Sequence, residues 1–478
     1  MSKMMTQTWK FFLAGEPRES KEKLVVKSPF DGEAAGETFL AGPDDIENAT
    51  KASVEGFQET RKLRAYERSE ILFRIRDGIA ADAENFARLM AREAGKPLKD
   101  ARGEVSRALL TFATAAEEAK RVHGDFLDLN FSAAGKDHYA VYRPFPIGPI
   151  LAISPFNFPL NLVAHKLAPA IAVGTSFVLK PASATPLTAL LLAKVILDAG
   201  YPKKAVNVLP CTSAAGEAMV KDDRFKLLSF TGSPTVGWKL KALSGKKKVV
   251  LELGGNAGVI VDVGADVELA AKRCAAGGFS YAGQSCISVQ RIFVHEKSID
   301  RFTSQLLSHV KNLRVGDPLD ETVDLGPMIT TEAAERSAAW IDEAVKEGAK
   351  VLAGGSRKGS VLSPTVLSSV TPNMKVSCQE VFAPLVTITP FDDFGRALAS
   401  VNDSWYGLQA GIFSNDFRHI MEAYEDLEVG GVVVNDIPSW RIDPMPYGGI
   451  KDSGLGREGI RYAMQEMTEG KLLVMNLS

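Results

Sequence analysis

The sequence predicts an α/β fold with two doubly wound units in series and a small additional β element. From Ile150 onward, short apolar runs alternate with helical stretches, which is typical of parallel sheets with crossover helices. A second alternating set begins after Gly254-Gly255. The chain has 478 residues, 45% of them hydrophobic, which is enough for two or three domains with sizeable cores.

In the first half, the segment 61–122 is predicted to be mostly helical, with Ile71, Ile75 and Ile79 on one apolar stripe. Two further helices are predicted at 160–173, interrupted or kinked near Pro169 and ended by Gly174, and at 186–199. Strands are predicted at 150–153, 176–179, 206–209, 226–230 and 248–253.

In the second half, strands are predicted at 258–261, 289–294, 385–388, 410–413 and 432–434. The segment 126–143 breaks the α/β pattern and ends in a β-prone run, which predicts a projecting hairpin. The C-terminal run 471–474 is a predicted strand that meets either this hairpin or a partner subunit.

Charge and composition exclude several function classes. Lys and Arg number 56 against 58 Asp and Glu, so no basic excess is present to neutralise nucleic-acid phosphates. The basic run 246–248 follows Ser244-Gly245 and is interpreted as a solvated loop. Charged residues make up 24%, the composition of an ordinary globular protein and not of a disordered or collagenous one.

The four cysteines form no C-x-x-C pair, so neither a disulfide framework nor a zinc site is expected, and no metal is predicted. The first ten residues lack the apolar core of a secretory signal. The longest uncharged stretch, 144–165, is too rich in proline for a membrane helix. We therefore expect a soluble, cytoplasmic protein without membrane or nucleic-acid partners.

The segment 454–459 matches the dinucleotide-binding pattern G-x-G-x-x-G. That pattern requires a strand directly before it, whereas here it follows the glycine-rich segment 448–453. We interpret these glycines as loop-shaping residues.

A set of separated motifs carries a more specific signal. Several of them follow predicted parallel strands, at whose carboxyl ends open α/β sheets bind ligands. The set comprises Pro155-Phe156-Asn157-Phe158-Pro159, Lys180-Pro181-Ala182-Ser183, Phe230-Thr231-Gly232-Ser233 with Gly237, Glu252-Leu253-Gly254-Gly255, Gly283-Gln284-Ser285-Cys286, Glu380-Val381-Phe382-Ala383-Pro384, Asn435 and Pro446-Tyr447-Gly448-Gly449.

Together these motifs resemble the aldehyde dehydrogenase superfamily over nearly the whole chain, and the 34 positions from Glu252 to Cys286 also fit. The resemblance implies a cofactor domain at 1–125 and 147–254, a catalytic domain at 255–463, and an oligomerisation domain at 126–146 and 464–478. It further implies a homodimer or homotetramer.

The residue types suit the oxidation of an aldehyde through a covalent adduct. A cysteine thiolate such as that of Cys286 is a good nucleophile near neutral pH when its pKa is lowered. Its small or polar neighbours favour an accessible loop, whereas Cys211, Cys274 and Cys378 are interpreted as ordinary buried cysteines.

The resemblance implies that the adduct's oxyanion is bound by the side-chain amide of Asn157 and the backbone N–H of Cys286. It also implies that Glu252 is the general base for hydrolysis of the thioester. A carboxyl group at a buried strand end should have a raised pKa, which suits that task. Coenzyme-A-acylating relatives lack this acid, so a free carboxylic acid is the expected product.

The same resemblance implies NAD or NADP as the cofactor. Lys180 corresponds to a lysine on the adenosine ribose, Glu380 to the residue that holds the nicotinamide ribose, and Phe382 packs near the nicotinamide ring. The remaining cofactor contacts expected are Ser154, Phe156, Ser183, Gly216, Gly232, Ser233, Gly237 and Leu253. The acid often found three residues after the lysine is Ser183 here, and a carboxylate would repel the 2′-phosphate of NADP.

For the substrate, the sequence predicts a tunnel mouth lined by Arg107, Phe158, Trp440 and Arg441. The arginines could clamp a carboxylate, phosphate or phosphonate tail. The alternative is that each pairs with a nearby acid, Arg107 with Glu104 and Arg441 with Asp443. The loop 439–443 and the stretch 287–291 resemble lactaldehyde and phosphonoacetaldehyde dehydrogenases, so a short oxygenated or anionic aldehyde is expected.

The residues present argue against two other function classes. A non-catalytic protein of the same fold should have lost Cys286, Glu252 or Asn157, and all three are present. A Rossmann reductase of alcohols or ketones should show a true G-x-G-x-x-G after the first strand, together with Tyr-x-x-x-Lys or a zinc site, and neither is found.

Overall fold

The computed structural model describes residues 7–478, in which the first set of apolar runs forms an eight-stranded sheet. Its central strands are parallel and its edges antiparallel. In spatial order the strands are Glu16–Arg18, Phe11–Leu13, Val206–Val208, Phe177–Lys180, Ile150–Ile153, Leu227–Thr231, Lys248–Glu252 and Gly454–Leu455. The order reverses at Ile150–Ile153, which creates a crevice at the carboxyl end of that strand.

The second set forms a seven-stranded sheet, parallel except at one edge. Its strands in spatial order are Lys350–Ala353, Thr365–Ser368, Leu385–Phe391, Val289–His295, Ala257–Val261, Gln409–Phe413 and Gly431–Val434. The sequence did not predict the first two. Lys350–Ala353 is largely exposed and Thr365–Ser368 is short, so neither has a long apolar run.

The predicted hairpin is confirmed. Asp125–Asp128 pairs with His138–Pro146, and the C-terminal strand Thr468–Asn476 pairs antiparallel with the latter along its full length. Of the two alternatives for the C-terminal run, the structure therefore shows pairing with the hairpin. Smaller sheets join Lys23–Lys27 to Ala34–Phe39, Arg357–Lys358 to Val361–Leu362, and Tyr406–Gly407 to Ile450–Lys451.

The predicted helical segment 61–122 contains three helices, Ala65–Ala81, Ala83–Ala94 and Leu98–Glu118. Asn161–Val173 contains Pro169 and ends at Gly174, whose φ of 84° favours glycine. The other helices are Pro43–Thr60, Leu187–Asp198, Ser213–Val220, Pro234–Leu243, Val267–Phe279, Ile299–Lys311, Thr331–Lys346, Lys375–Cys378, Phe394–Asn402, Phe417–Asp426 and Ile460–Glu466, with 3₁₀ turns at Ala133–Gly135, Lys203–Ala205, Ser280–Gly283 and Glu296–Ser298.

Each large sheet contributes to its own apolar core. The predicted stripe of Ile71, Ile75 and Ile79 is buried in the first core. Most predicted strands end within one residue of the observed strands, because the apolar runs are short and bounded by turns. The division of the chain into a cofactor, a catalytic and an oligomerisation domain stays a prediction.

The G-x-G-x-x-G match lies at the sheet edge. Gly454–Leu455 pairs antiparallel with Lys248–Glu252, and a Cβ atom at Gly454 would lie 2.3 Å from the Leu251 carbonyl oxygen. Close backbone approach therefore requires this glycine. The structural interpretation is confirmed, although two of the six residues form an edge strand and not a loop.

Among residues 7–478, no helix is both long enough and apolar enough to cross a membrane. In the same range, no group of three or more His, Cys, Asp or Glu side chains is arranged to hold a metal ion.

Candidate active site

The carboxyl ends of the parallel strands of the first sheet open onto one cavity of about 670 Å³. Register brings the strand ends together, because Ile153 pairs with Lys180 and Thr231 pairs with Glu252. The cavity lies at the crevice where the strand order reverses. The loop that carries Cys286 closes it from the side of the second sheet.

Most of the predicted site residues line this cavity. They are Arg107, Ser154, Phe156, Asn157, Phe158, Gly232, Ser233, Glu252, Leu253, Cys286, Glu380, Phe382 and Arg441. The predicted residues outside the lining are Lys180, Ser183, Gly216, Gly237 and Trp440.

Three of these outlying residues support the cavity from behind or lie beside it. A Cβ atom at Gly216 would lie 2.9 Å from Cδ of Lys180, and one at Gly237 would lie 2.3 Å from a methyl group of Leu253. Both glycines therefore allow close packing behind residues of the predicted cofactor site. Ser183 is exposed beside the cavity.

Trp440 does not form the predicted wall of the tunnel mouth. Its side chain is 46% exposed and does not line the cavity. The sequence predicted this position because Trp440 belongs to the loop 439–443, but residues of one loop need not face the same side.

Cys286 follows an unusual turn. Tyr281, Ala282 and Gly283 all have positive φ, and a Cβ atom at Gly283 would lie 2.1 Å from the Ala383 carbonyl oxygen. The half-buried Cys286 has its Sγ 3.1 Å from the hydroxyl of Tyr447. Burial raises the pKa of the Cys286 thiol to about 12. Desolvation outweighs the lowering effect of the hydrogen bond with Tyr447 on the pKa of Cys286.

The other cysteines lie outside the cavity lining. Cys211 and Cys274 are fully buried, as predicted, and burial raises the pKa of Cys211 to about 11. Cys378 is only half-buried, so its interpretation as a buried residue is wrong.

Glu252 ends its strand at the cavity and is 3% exposed. Neither carboxyl oxygen has a hydrogen-bond partner among residues 7–478. Desolvation raises the pKa of Glu252 well above its ordinary value, and the nearby carboxylate of Glu458 adds to this effect. The predicted rise in the pKa of Glu252 is confirmed, and both oxygens are free to contact a substrate or water.

Asn157 is buried at the cavity wall, where its side-chain amide donates a hydrogen bond to the Gln284 carbonyl oxygen at 3.0 Å. The amide nitrogen carries a second hydrogen that this bond does not use. Asn157 is thereby connected to the loop of Cys286, two residues before the cysteine.

Helix Leu98–Glu118 holds both loops in place. Glu104 accepts the backbone N–H groups of Leu160 and Asn161, each at 2.9 Å, and pairs with the fully buried Lys96. One turn earlier, Asp100 accepts the backbone N–H of Tyr281 at 3.1 Å. Two acids on one helix face therefore fix the loops that carry Asn157 and Cys286.

The far side of the cavity offers groups that suit a dinucleotide. Glu380 accepts the Gly255 N–H at 2.9 Å, and burial raises the pKa of Glu380 to about 7. A Cβ atom at Gly254 would lie 2.5 Å from Oε2 of Glu380, so a larger residue there would displace the Glu380 carboxyl group. Phe382 has its ring 5.9 Å from that of Phe156 in an edge-to-face arrangement.

A lysine and a helix N-terminus lie at the strand ends on that side. Lys180 is 9% exposed and forms no ion pair with any residue in the described range, and desolvation lowers its pKa. Ser233 is the N-cap of helix Pro234–Leu243 without a side-chain capping bond, so the N-terminal N–H groups of that helix are open to an anion. These residues fit a dinucleotide with a pyrophosphate group.

The arginines at the mouth have acid partners, and of the two pairs that the sequence suggested only Arg441 with Asp443 lies within ion-pair distance. Arg107 pairs with Asp443 at 2.8 Å, since Glu104 is held by Lys96. Arg441 is 5% exposed and pairs with Glu458 at 3.3 Å, whereas Asp443 lies 3.9 Å from it. Asp443 therefore lies closer to Arg107, which belongs to a different element, than to its sequence neighbour Arg441.

His165 joins these pairs into one network. Its Nε2 lies 3.0 Å from Asp443 and its Nδ1 lies 3.0 Å from Glu458. The cations around Glu458 hold its pKa far below its ordinary value despite burial. Lys166, also buried, lies 3.5 Å from Glu458 and completes the network.

Sequence reasoning assigned no role to His165, Lys166, Tyr447 or Glu458. A signal existed for the first two, since polar residues within the otherwise apolar helix Asn161–Val173 need buried partners. Tyr447 belongs to the motif Pro446-Tyr447-Gly448-Gly449, and Glu458 lies within the G-x-G-x-x-G match, but neither pattern indicates a role for these side chains.

Comparison with known proteins identifies the family. The model of the aldehyde dehydrogenase family matches residues 16–473. The chain belongs to the aldehyde dehydrogenase family. Its predicted fold class and enzyme class are confirmed, and the Rossmann-reductase and non-catalytic alternatives are not supported.

Two relatives refine this assignment. The 3-sulfolactaldehyde dehydrogenase of Priestia aryabhattai is 43% identical over 467 residues, which cover 98% of each chain. The lactaldehyde dehydrogenase of Methanococcus vannielii is 39% identical over 464 residues, 95% of this chain and 98% of the relative. The resemblance to lactaldehyde dehydrogenases is therefore confirmed.

Two solved structures share the aldehyde dehydrogenase fold of this chain. Aldehyde dehydrogenase 21 from Physcomitrella patens, in complex with the reaction product succinate, has a TM-score of 0.96 and 43% identity, covering 99% of both chains. Glyceraldehyde-3-phosphate dehydrogenase from Methanocaldococcus jannaschii, complexed with NADP, has a TM-score of 0.92 and 37% identity, covering 96% of this chain and 99% of the other. The NADP in the second of these structures agrees with the cofactor prediction of NAD or NADP.

Proposed function

We propose that this aldehyde dehydrogenase oxidises a short anionic or oxygenated aldehyde to its free carboxylic acid through a covalent thioester on Cys286. The observation that carries this proposal is the meeting of three groups at one cavity, namely the thiol of Cys286, the side-chain amide of Asn157 and the unpaired carboxyl group of Glu252. Each group suits one step of the reaction.

In the first step the thiolate of Cys286 attacks the aldehyde carbon, and the carbonyl oxygen becomes an oxyanion. The free hydrogen of the Asn157 amide and the backbone N–H of Cys286 donate hydrogen bonds to that oxyanion. Removing one such donor costs about 3–4 kcal/mol of transition-state stabilisation. Because Asn157 is already bonded to Gln284, little reorganisation is needed.

The nicotinamide ring, when bound, accepts the hydride, and Glu380 and Phe382 are the residues proposed to hold it. The proposed contacts for the rest of the dinucleotide are Ser154, Phe156, Lys180, Ser183, Gly216, Gly232, Ser233, Gly237 and Leu253. Loss of hydride from the adduct leaves a thioester on Cys286.

In the second step water attacks the thioester carbon. Glu252 accepts the proton of that water, the carbon–sulfur bond breaks, and the carboxylic acid leaves while the thiolate of Cys286 is regenerated. The carboxyl group of Glu252 has no competing hydrogen bond within the described chain, so water can occupy that position. Its raised pKa makes it a stronger base than an ordinary glutamate.

For substrate recognition we propose Arg107 as the anion contact and Phe158 as the adjoining apolar wall. The side chain of Arg107 is 32% exposed at the cavity, and its Nε has no hydrogen-bond partner within residues 7–478. Arg441 is not proposed as a second clamp, because its side chain is only 5% exposed. The names of the relatives support this proposal, since sulfolactaldehyde and glyceraldehyde 3-phosphate are anionic.

The test is NAD(P)H formation from a panel of aldehydes at matched concentrations. Sulfolactaldehyde, succinate semialdehyde, phosphonoacetaldehyde and lactaldehyde should give higher kcat/KM values than hexanal and benzaldehyde, and iodoacetamide should abolish all activity. If hexanal is the best substrate, the proposed substrate class is wrong. If alkylation leaves the activity unchanged, the cysteine mechanism is wrong.

We also propose that the chain forms a homodimer or homotetramer through its three-stranded sheet. Leu472 and Leu473 on the C-terminal strand are 52% and 59% exposed, and Phe126 on the hairpin is 67% exposed. Apolar side chains exposed together in this way favour a subunit interface. Sedimentation of the wild type and of Leu473→Glu tests this, and a monomeric wild type would refute it. Cytoplasmic location stays a prediction.

A further inference from the structure

Tyr447 occupies a position that the proposed reaction steps do not yet use. Its hydroxyl lies 3.1 Å from the Sγ of Cys286, and the residue is 4% exposed. Its backbone is fixed by two hydrogen bonds with Glu458, at 3.0 and 2.7 Å. The hydroxyl is therefore held beside the nucleophile by a rigid part of the chain.

The ring of Tyr447 carries a second contact. The guanidinium of Arg441 lies 3.6 Å from the ring centroid, which is within cation–π range, and Glu458 holds that guanidinium in place. An adjacent cation favours negative charge that develops at the phenol and at the sulfur beyond it. These contacts connect Arg441 to Cys286 through the side chain of Tyr447.

We propose that the Tyr447 hydroxyl is a catalytic hydrogen-bond donor that stabilises the thiolate of Cys286, both when it attacks the aldehyde and when it leaves the thioester, with Arg441 as the positioning residue behind it. This inference rests on the proposed role of Cys286 as the nucleophile.

The direction of the hydrogen bond explains why it would be catalytic. Between a thiol and a phenol either group can donate, but a thiolate can only accept, so Tyr447 must donate to it. A hydrogen bond to an ionised acceptor is about twice as strong as a neutral one. Burial raises the pKa of Tyr447 well above its ordinary value, so the hydroxyl keeps its proton.

Every proton and electron pair in the proposed cycle has a destination. The thiol proton leaves to solvent, the thiolate forms the bond to carbon, and Tyr447 retains its own proton throughout. When water displaces the sulfur, the electron pair of the carbon–sulfur bond returns to Sγ, and Tyr447 donates to it again. Tyr447 therefore assists two steps, whereas Glu252 assists only the hydrolysis.

The experiment is the pH dependence of alkylation of Cys286 by iodoacetamide in the full-length protein, with Cys286→Ala as the background. The charged and titratable groups that face the sulfur are Tyr447, Arg441, Glu252 and Glu380. Tyr447→Phe should move the midpoint upward by about one pH unit or more, which is a roughly tenfold slower reaction at a fixed pH below the midpoint.

Tyr201→Phe is the matched control, since its buried hydroxyl also donates one hydrogen bond, at 2.7 Å to the Thr175 carbonyl oxygen, but the residue lies outside the cavity lining. Its alkylation profile should equal that of the wild type. Arg441→Gln should shift the midpoint in the same direction as Tyr447→Phe. An unchanged midpoint in Tyr447→Phe would overturn the inference.

Rapid mixing with aldehyde supplies a second readout. Tyr447→Phe should slow both the first turnover and the steady state, and slowing of the steady state alone would also overturn the inference. Failure of the proposed function can be told apart from failure of this inference. If Cys286 is not the nucleophile, Cys286→Ala still oxidises aldehydes, whatever alkylation profile the Tyr447 variant shows.

Discussion

The two ends of the active-site cavity differ in whether their ionisable side chains have partners. At the reacting end, the carboxyl group of Glu252 has no partner within residues 7–478, and burial raises the pKa values of Glu252 and Cys286. At the mouth, Arg107 and Arg441 pair with Asp443 and Glu458. The comparison indicates that the carboxyl group of Glu252 is left without a hydrogen-bond partner within residues 7–478, whereas the charges at the mouth are paired and mainly hold loops together.

The sharpest test of the reacting end is Cys286→Ala. Aldehyde oxidation should fall to background, because no other thiol lies in the cavity lining. NAD(P)H formation measures this loss, and Cys378→Ser serves as the control outside the cavity. Residual turnover in Cys286→Ala would show that the bond to the substrate does not form at Cys286.

Glu252→Gln should separate the two half-reactions. Without its base, thioester hydrolysis should slow by about 10²–10⁴-fold, while hydride transfer persists. Rapid mixing should then show a near-stoichiometric burst of NAD(P)H followed by slow turnover. Absence of a burst would mean that Glu252 is needed before the thioester forms.

The raised pKa of Glu252 also predicts a pH dependence. A general base works only when ionised, so steady-state turnover should fall about tenfold per pH unit below that pKa and level off above it. Because the pKa is raised, this fall should occur at higher pH than for an ordinary glutamate. The burst rate in the same samples separates the ionisation of Glu252 from that of Cys286. A steady-state turnover that stays constant down to the ordinary glutamate pKa would contradict the prediction.

At the mouth, Arg107→Ala should discriminate among substrates. Loss of a charge-assisted hydrogen bond costs about 1.5–3 kcal/mol, or about tenfold or more in kcat/KM, for anionic aldehydes only. Arg441→Ala should instead lower kcat/KM for all aldehydes to a similar degree. Comparing kcat/KM for succinate semialdehyde and for hexanal in both variants measures the difference. Equal losses of kcat/KM for the two aldehydes in Arg107→Ala would show that Arg107 is not the anion contact.

The smallest effect is expected at Ser183, which is exposed beside the cavity. Ser183→Glu should lower kcat/KM with NADP several-fold and leave that with NAD nearly unchanged, because a carboxylate repels the 2′-phosphate while exposure to solvent screens it. Ser183→Gln is the uncharged control. A wild type already selective for NAD, and unchanged by either substitution, would contradict this prediction.

The sequence by itself determined the order of the strands along the chain and the positions of the motifs. Runs such as Ile150–Ile153 are short, apolar and bounded by turn residues, so their secondary structure depends mostly on local pattern. Parallel pairing then places the residues that follow them at one sheet edge, which is why Asn157 and Glu252 could be expected to lie at one cavity.

Only the tertiary structure decided the charge partners and the proton affinities. Arg107 meets Asp443 across a sequence separation of 336 residues, and no local rule selects that acid over Glu104. Likewise the sequence did not show how far Cys286 is desolvated, whereas burial of the thiol beside Tyr447 raises its pKa. Ion pairing and desolvation depend on distances between elements far apart in the chain, and only the packed fold sets those distances.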